Sequence, residues 1–132
     1  MSYNDRVIEE FRANNGVVAN FGSSLVLLHT VGARSGEARI NPVLAIADGD
    51  GWLVIASAAG SPKHPAWYFN LVAQPQIVVE TPDGVFDVLA TSLEGAEWDA
   101  AWATFTSRSS AFEQYRERSE GREFPIVRLT RR

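Results

Sequence analysis

The residues able to do chemistry lie in two short segments. In the first, Arg34, Ser35 and Arg39 sit in and just after a turn holding Gly32 and Gly36. Glycines there permit positive φ and close backbone approach, so successive N–H groups can converge on a phosphate or carboxylate while the arginines add fixed charge. Taken alone, two glycines and a serine between strands are more often just a hairpin turn, and by themselves these residues favour that reading. The second segment runs from Ser57 to Asn70 and contains a loop of small residues (Ser57, Ala58, Ala59, Gly60), a cation at Lys63 and a helix opening at Pro65. A flat ring could lie against so little bulk, and a helix start attracts anions through its free N–H groups and macrodipole. Taken alone, the segment is better read as a capped helix with exposed Lys63 and His64 and with Trp67 and Tyr68 as core or surface aromatics. Together the two segments would suit a planar ligand with an anionic tail.

Composition removes most alternatives. The chain has 132 residues, 45% of them apolar, which is the size of a single domain with a proper core. It has no cysteine and only two histidines, His29 and His64, so disulfides, thiolate chemistry and a histidine-rich metal site are not expected. A net charge of −4 argues against nucleic acid as a partner. No apolar run is long enough to span a bilayer, and the polar opening lacks the order of a signal peptide, so we expect a cytoplasmic protein. Nucleophile elbows, metalloprotease motifs and triphosphate loops are absent. An enzyme built this way would borrow its chemistry from a bound cofactor.

The elements that must position these segments follow from periodicity. Val7, Ile8 and Phe11 share a face of a helix over about 4–14, closed by Asn14, Asn15 and Gly16. Strands are expected at 25–31, 37–47 and 52–57, forming an antiparallel meander. Pro65 suits the first turn of a helix that Gln74 and Pro75 end. A second hairpin pairs 77–81 with 85–91 across Pro82, Asp83 and Gly84. Helices are expected over 94–106 and from a Ser110/Glu113 capping box to about 118. A last strand over 124–129 contains Pro125, which predicts an edge position. The sum is an α+β, mainly β, domain covering residues 1–132: a small antiparallel barrel of about six strands with flanking helices.

The strings TVGARSGEARINP (residues 30–42) and GSPKHPAWYFNL (60–71) resemble the deazaflavin-dependent nitroreductase family, split β-barrel reductases that use coenzyme F-420. The similarity extends through AQP at 73–75 and FPIV at 124–127. It implies a cofactor phosphate and oligoglutamate tail along Arg34, Ser35, Gly36, Arg39 and Lys63, with the ring near Pro42, Val43, Ser57, Ala58, Ala59 and Gly60. Pro65, Ala66, Trp67 and Tyr68 would line the site. The implied reaction is hydride transfer to a small activated acceptor such as a quinone or nitroaromatic, with a proton from solvent, Ser57 or Tyr68. Many relatives carry a lysine where Ala58 stands, and the C-terminal region offers only Tyr115 beside Phe112 to the acceptor. The alternatives are flavin mononucleotide (FMN) as cofactor, or a carrier without turnover for deazaflavin, another flavin, haem or a lipid. A homodimer and peripheral membrane contact are left open. A desolvated tail contact from Arg39 would make Arg39→Ala cost on the order of 1.5–3 kcal/mol of binding.

Overall fold

The computed structural model describes residues 2–57, 60, 63–119 and 123–132. Chain order is α1 (Tyr3–Ala13), β1 (Leu25–Val31), β2 (Ala38–Asp48), β3 (Gly51–Ile55), α2 (Ala66–Ala73), β4 (Gln76–Thr81), β5 (Gly84–Ser92), α3 (Gly95–Arg108), α4 (Ala111–Arg118) and β6 (Ile126–Arg131). The six strands close into an antiparallel barrel in the order β1-β2-β3-β6-β5-β4.

Side chains alternate across each strand, so β1 delivers Val26 and Leu28 to one face and Leu25 and Leu27 to the other. The first pair joins Val43, Val54, Val79, Val88, Val127 and Leu129 in the barrel interior, which Trp67 and Leu71 of α2 plug. On the outside, Leu25 and Leu27 are covered by Val7 and Phe11 of α1. Leu53, Ile55 and Ile126 are covered by Trp98, Ala101 and Phe105 of α3 and Phe112 of α4. Polar ties fasten these helices: Trp98 Nε1 donates to the Phe124 carbonyl at 2.9 Å, and Arg128 bridges Asp48 at 2.8 Å and Glu97 at 2.6 Å. No helix among the described residues is long and apolar enough to cross a membrane.

Three local expectations are corrected. Pro125 does not mark an edge: β6 pairs with both β3 and β5. The proline lies one residue before the strand, where its missing N–H breaks no ladder, and its carbonyl accepts from Ala56 N–H at 2.9 Å. Ser110 makes no side-chain cap; the hydroxyl of Ser109 instead accepts the Ala111 N–H at 3.2 Å. Pro65 is the N-cap of α2, with φ −67° and ψ 151°, rather than a residue of its first turn.

A charged latch holds α1 against the barrel. Arg12 donates to both carboxylate oxygens of Glu80 on β4, at 3.1 and 2.7 Å, and His29 Nε2 lies 2.6 Å from the same carboxylate. The Arg12 hydrogen bond holds the Glu80 pKa below its ordinary value, outweighing desolvation, which pushes the other way. A depressed carboxylate pKa stabilises the fold above the unfolded-state value and loses that contribution as pH falls through the folded one. Because Arg12 is half exposed, acidification from about pH 6 to about pH 3 should cost only about 1 kcal/mol through this group. Thermal melts across that range should show Glu80→Gln with a shallower acid dependence than wild type.

Candidate functional site

The turn joining β1 to β2 is built largely from its own hydrogen bonds. Gly32 N–H donates to the Glu37 carbonyl at 2.8 Å, Gly36 N–H to the Gly32 carbonyl at 2.9 Å, and Glu37 N–H to Ser35 Oγ at 3.2 Å. Gly36 has φ +71°, a conformation that favours glycine. The Ala33 N–H reaches out of the turn to Asn70 Oδ1 on α2, at 3.0 Å. The backbone N–H groups of Arg34 and Ser35 donate to no acceptor among the described residues. The converging amides expected from the glycines are therefore narrowed to two at the tip of the turn.

Helix α2 meets this turn through one face. Ala66, Phe69 and Asn70, spaced i, i+3 and i+4, fall on the same side. With Gly32, Ala33, Arg34, Ser35 and Arg39 they line a cleft of about 630 Å³. Trp67 and Leu71 turn instead into the barrel, and Tyr68 and Val72 point to a separate groove of about 300 Å³ with Pro75 and Ala90. The α2 N-terminus opens beside the cleft without a side-chain cap, since Pro65 offers no acceptor there. Its free N–H groups and dipole thus add positive potential near Arg34. Arg34 has no ion pair among the described residues, whereas Arg39 is 53% exposed and sits 3.1 Å from Glu37.

Of the residues expected at the site, Arg34, Ser35, Arg39 and Ala66 line the cleft together, and Gly36 shapes the same turn. Val43 and Trp67 are in the interior cluster, where they hold the barrel and α2 together. Pro42 is on β2 opposite Leu27. Pro65, Lys63 and Ser57 lie between β3 and α2, outside the cleft lining; Ala58 and Ala59 fall outside the described residues. Gly60 is buried with φ +84°, and a Cβ on it would meet the Tyr115 backbone of α4 at 2.9 Å. Its missing side chain thus admits α4. Sequence reading missed Phe69 and Asn70 as cleft residues, although their spacing from Ala66 marked the shared face. No cluster of three or more metal-ligating side chains exists among the described residues.

The model of the F420H(2)-dependent quinone reductase family matches residues 4–131. The chain belongs to that family. It is 34% identical over 110 residues to an F420H(2)-dependent quinone reductase of Mycobacterium tuberculosis, covering 81% of this chain and 73% of the relative. A solved F-420-H2-dependent reductase superposes with a TM-score of 0.71 at 33% identity, covering 80% of this chain and 93% of that one. A chain described as a domain-swapped dimer superposes with a TM-score of 0.74 at 30% identity, covering 97% and 99%. The protein is thus an F-420-dependent reductase on a barrel fold, with F-420 as its cofactor and a small-molecule acceptor.

The cleft fits a polyanionic tail in an acidic protein: a guanidinium with no ion pair and two amides with no acceptor among the described residues share it with a helix start. Arg39 is a weaker contributor than a desolvated contact would be, because water and Glu37 already answer its charge. Arg39→Ala is expected to cost about 1 kcal/mol of F-420 affinity, roughly fivefold. Fluorescence titration measures this directly, and a loss as large as that for Arg34→Ala would contradict it.

Proposed function

We propose that this enzyme reduces a quinone and that the cleft between the β1–β2 turn and α2 holds the anionic part of F-420. The observation carrying this reading is the meeting of Arg34 and Ser35 with the start of α2 in one cleft, as a phosphate-bearing tail would require. Arg34, Ser35 and Arg39 would hold the tail, with Lys63 as a further cation. Ser57 and Pro65, between β3 and α2, would contact the ring. When bound, the reduced cofactor supplies a hydride. The chain's own part is to bind and orient, and to place a proton at the acceptor oxygen that becomes a hydroxyl. Solvent and the hydroxyls of Ser57 and Tyr68 are the proposed proton sources, and Tyr68 borders the groove that also holds Leu71, Val72 and Pro75. A homodimer is the assembly we propose, supported by the structural relative described as a domain-swapped dimer.

Titration with oxidised F-420, FMN and haem, followed by absorbance, tests the ligand preference. Adding menadione, then a nitroaromatic, to the complex with reduced F-420 tests the acceptor. The expected result is preferential F-420 binding and faster cofactor oxidation by the quinone. A cofactor spectrum unchanged across a panel of quinones would overturn the acceptor assignment.

A further inference from the structure

We propose that Asn70 is a positioning residue for the cofactor's anionic tail, acting through the turn rather than by touching the ligand's reacting atoms. The proposal rests on the cofactor reading above. Asn70 is buried, and its carboxamide joins three elements. Oδ1 accepts the Ala33 N–H at 3.0 Å, and Nδ2 donates to Thr30 Oγ1 on β1 at 3.5 Å. Thr30 Oγ1 in turn donates to Asn41 Oδ1 on β2 at 3.3 Å. No buried side-chain nitrogen or oxygen among the described residues lacks a partner, so this chain of bonds is closed.

The consequence lies in which amides are used. The carbonyls of Glu37 and Gly32 take up the N–H groups at the base of the turn, and Asn70 takes up that of Ala33, the residue just before the two whose amides have no acceptor among the described residues. Without the carboxamide oxygen, Ala33 N–H would lose its partner, and no other hydrogen bond among the described residues would tie the leading half of the turn to α2. Arg34 could then swing with its backbone. Asn70 therefore sets the distance between the cation-bearing turn and the helix start, the two parts that must act on one anion. A buried amide with both ends satisfied fixes one geometry, because any other leaves a polar group unpaired.

Two probes separate this role from simple structural support: oxidised F-420, and the deazaflavin riboside, which lacks the phosphate and glutamates. Asn70→Leu, close in size but without polar atoms, should lower F-420 affinity about tenfold while changing riboside affinity less than about twofold. In turnover with menadione, KM for reduced F-420 should rise by a similar factor, with kcat at saturation within about twofold of wild type. Thr30→Val, which keeps the Ala33 bond but removes the hydroxyl that anchors Nδ2, should act in the same direction by about threefold. Thr30→Val decides the matter if Asn70→Leu does not fold. Equal loss for both probes, or unchanged F-420 affinity in a folded variant, overturns the proposal. The failure of the underlying reading looks different: wild-type enzyme would then bind F-420 and the riboside equally, and Arg34→Ala would change neither.

Discussion

Arg34→Ala is expected to weaken binding of oxidised F-420 by about 1.5–3 kcal/mol, roughly tenfold to a hundredfold, and to leave binding of the deazaflavin riboside nearly unchanged. The size follows from surroundings rather than from charge alone. Arg34 has no carboxylate partner among the described residues, and it stands beside two unsatisfied amides and an uncapped helix start. Arg34 is exposed, so its guanidinium gives up only water, and no carboxylate among the described residues, when an anion arrives, and the neighbouring dipoles act on the same charge. Arg39, five residues on, is already engaged by Glu37, so its removal exchanges one solvated pair for another and costs less. Fluorescence titration of both variants at low and raised salt checks the ranking. The Arg34 effect should shrink as salt rises without vanishing, because the cleft wall limits screening on one side. Wild-type affinity in Arg34→Ala would remove the turn from the site.

Trp67→Ala is expected to lower stability by about 3–5 kcal/mol, the usual cost of emptying a large aromatic site in a core. Trp67 is only 9% exposed and packs with Leu28, Val54 and Val79 in the barrel interior, where with Leu71 it is the plug that seats α2. Thermal or urea unfolding reads the loss. Affinity for F-420 should fall as well, because Ala66, Phe69 and Asn70 are carried by the same short helix and lose their register when it loosens. Trp67→Phe keeps most of the apolar contact and should recover both quantities in parallel. If Trp67 served chiefly as a ring contact for the cofactor, affinity would drop with stability unchanged, and the variant pair separates the two cases.

Much of the architecture was legible because it rests on short-range rules. The strand over 25–31 and the hairpin across Pro82 and Asp83 follow from alternation bounded by turn residues, and both are where periodicity puts them. Asn15 and Gly16, with φ +55° and +91°, end α1 as residues tolerant of positive φ do. The misreadings share one cause. A proline cannot donate to a ladder, so Pro125 predicts an edge, yet β6 simply begins one residue later and is paired on both sides. Ser110 carries the right spacing for a cap, but its hydroxyl makes no cap bond, and the adjacent Ser109 hydroxyl accepts the Ala111 N–H instead. What lies beside Gly60 was equally beyond local rules: a Cβ there would meet the backbone of α4, more than fifty residues away in the chain.

By itself the sequence determined which segments pair and bend, and that cations and small residues border two of the loops, since alternation, glycine conformation and proline chemistry act within a few residues. Only the tertiary structure decided which turn amides lack an acceptor among the described residues and which face of α2 meets them. Ala33 and Asn70 lie 37 residues apart, and their hydrogen bond forms only once the closed barrel and its Trp67 plug have set the helix beside the turn.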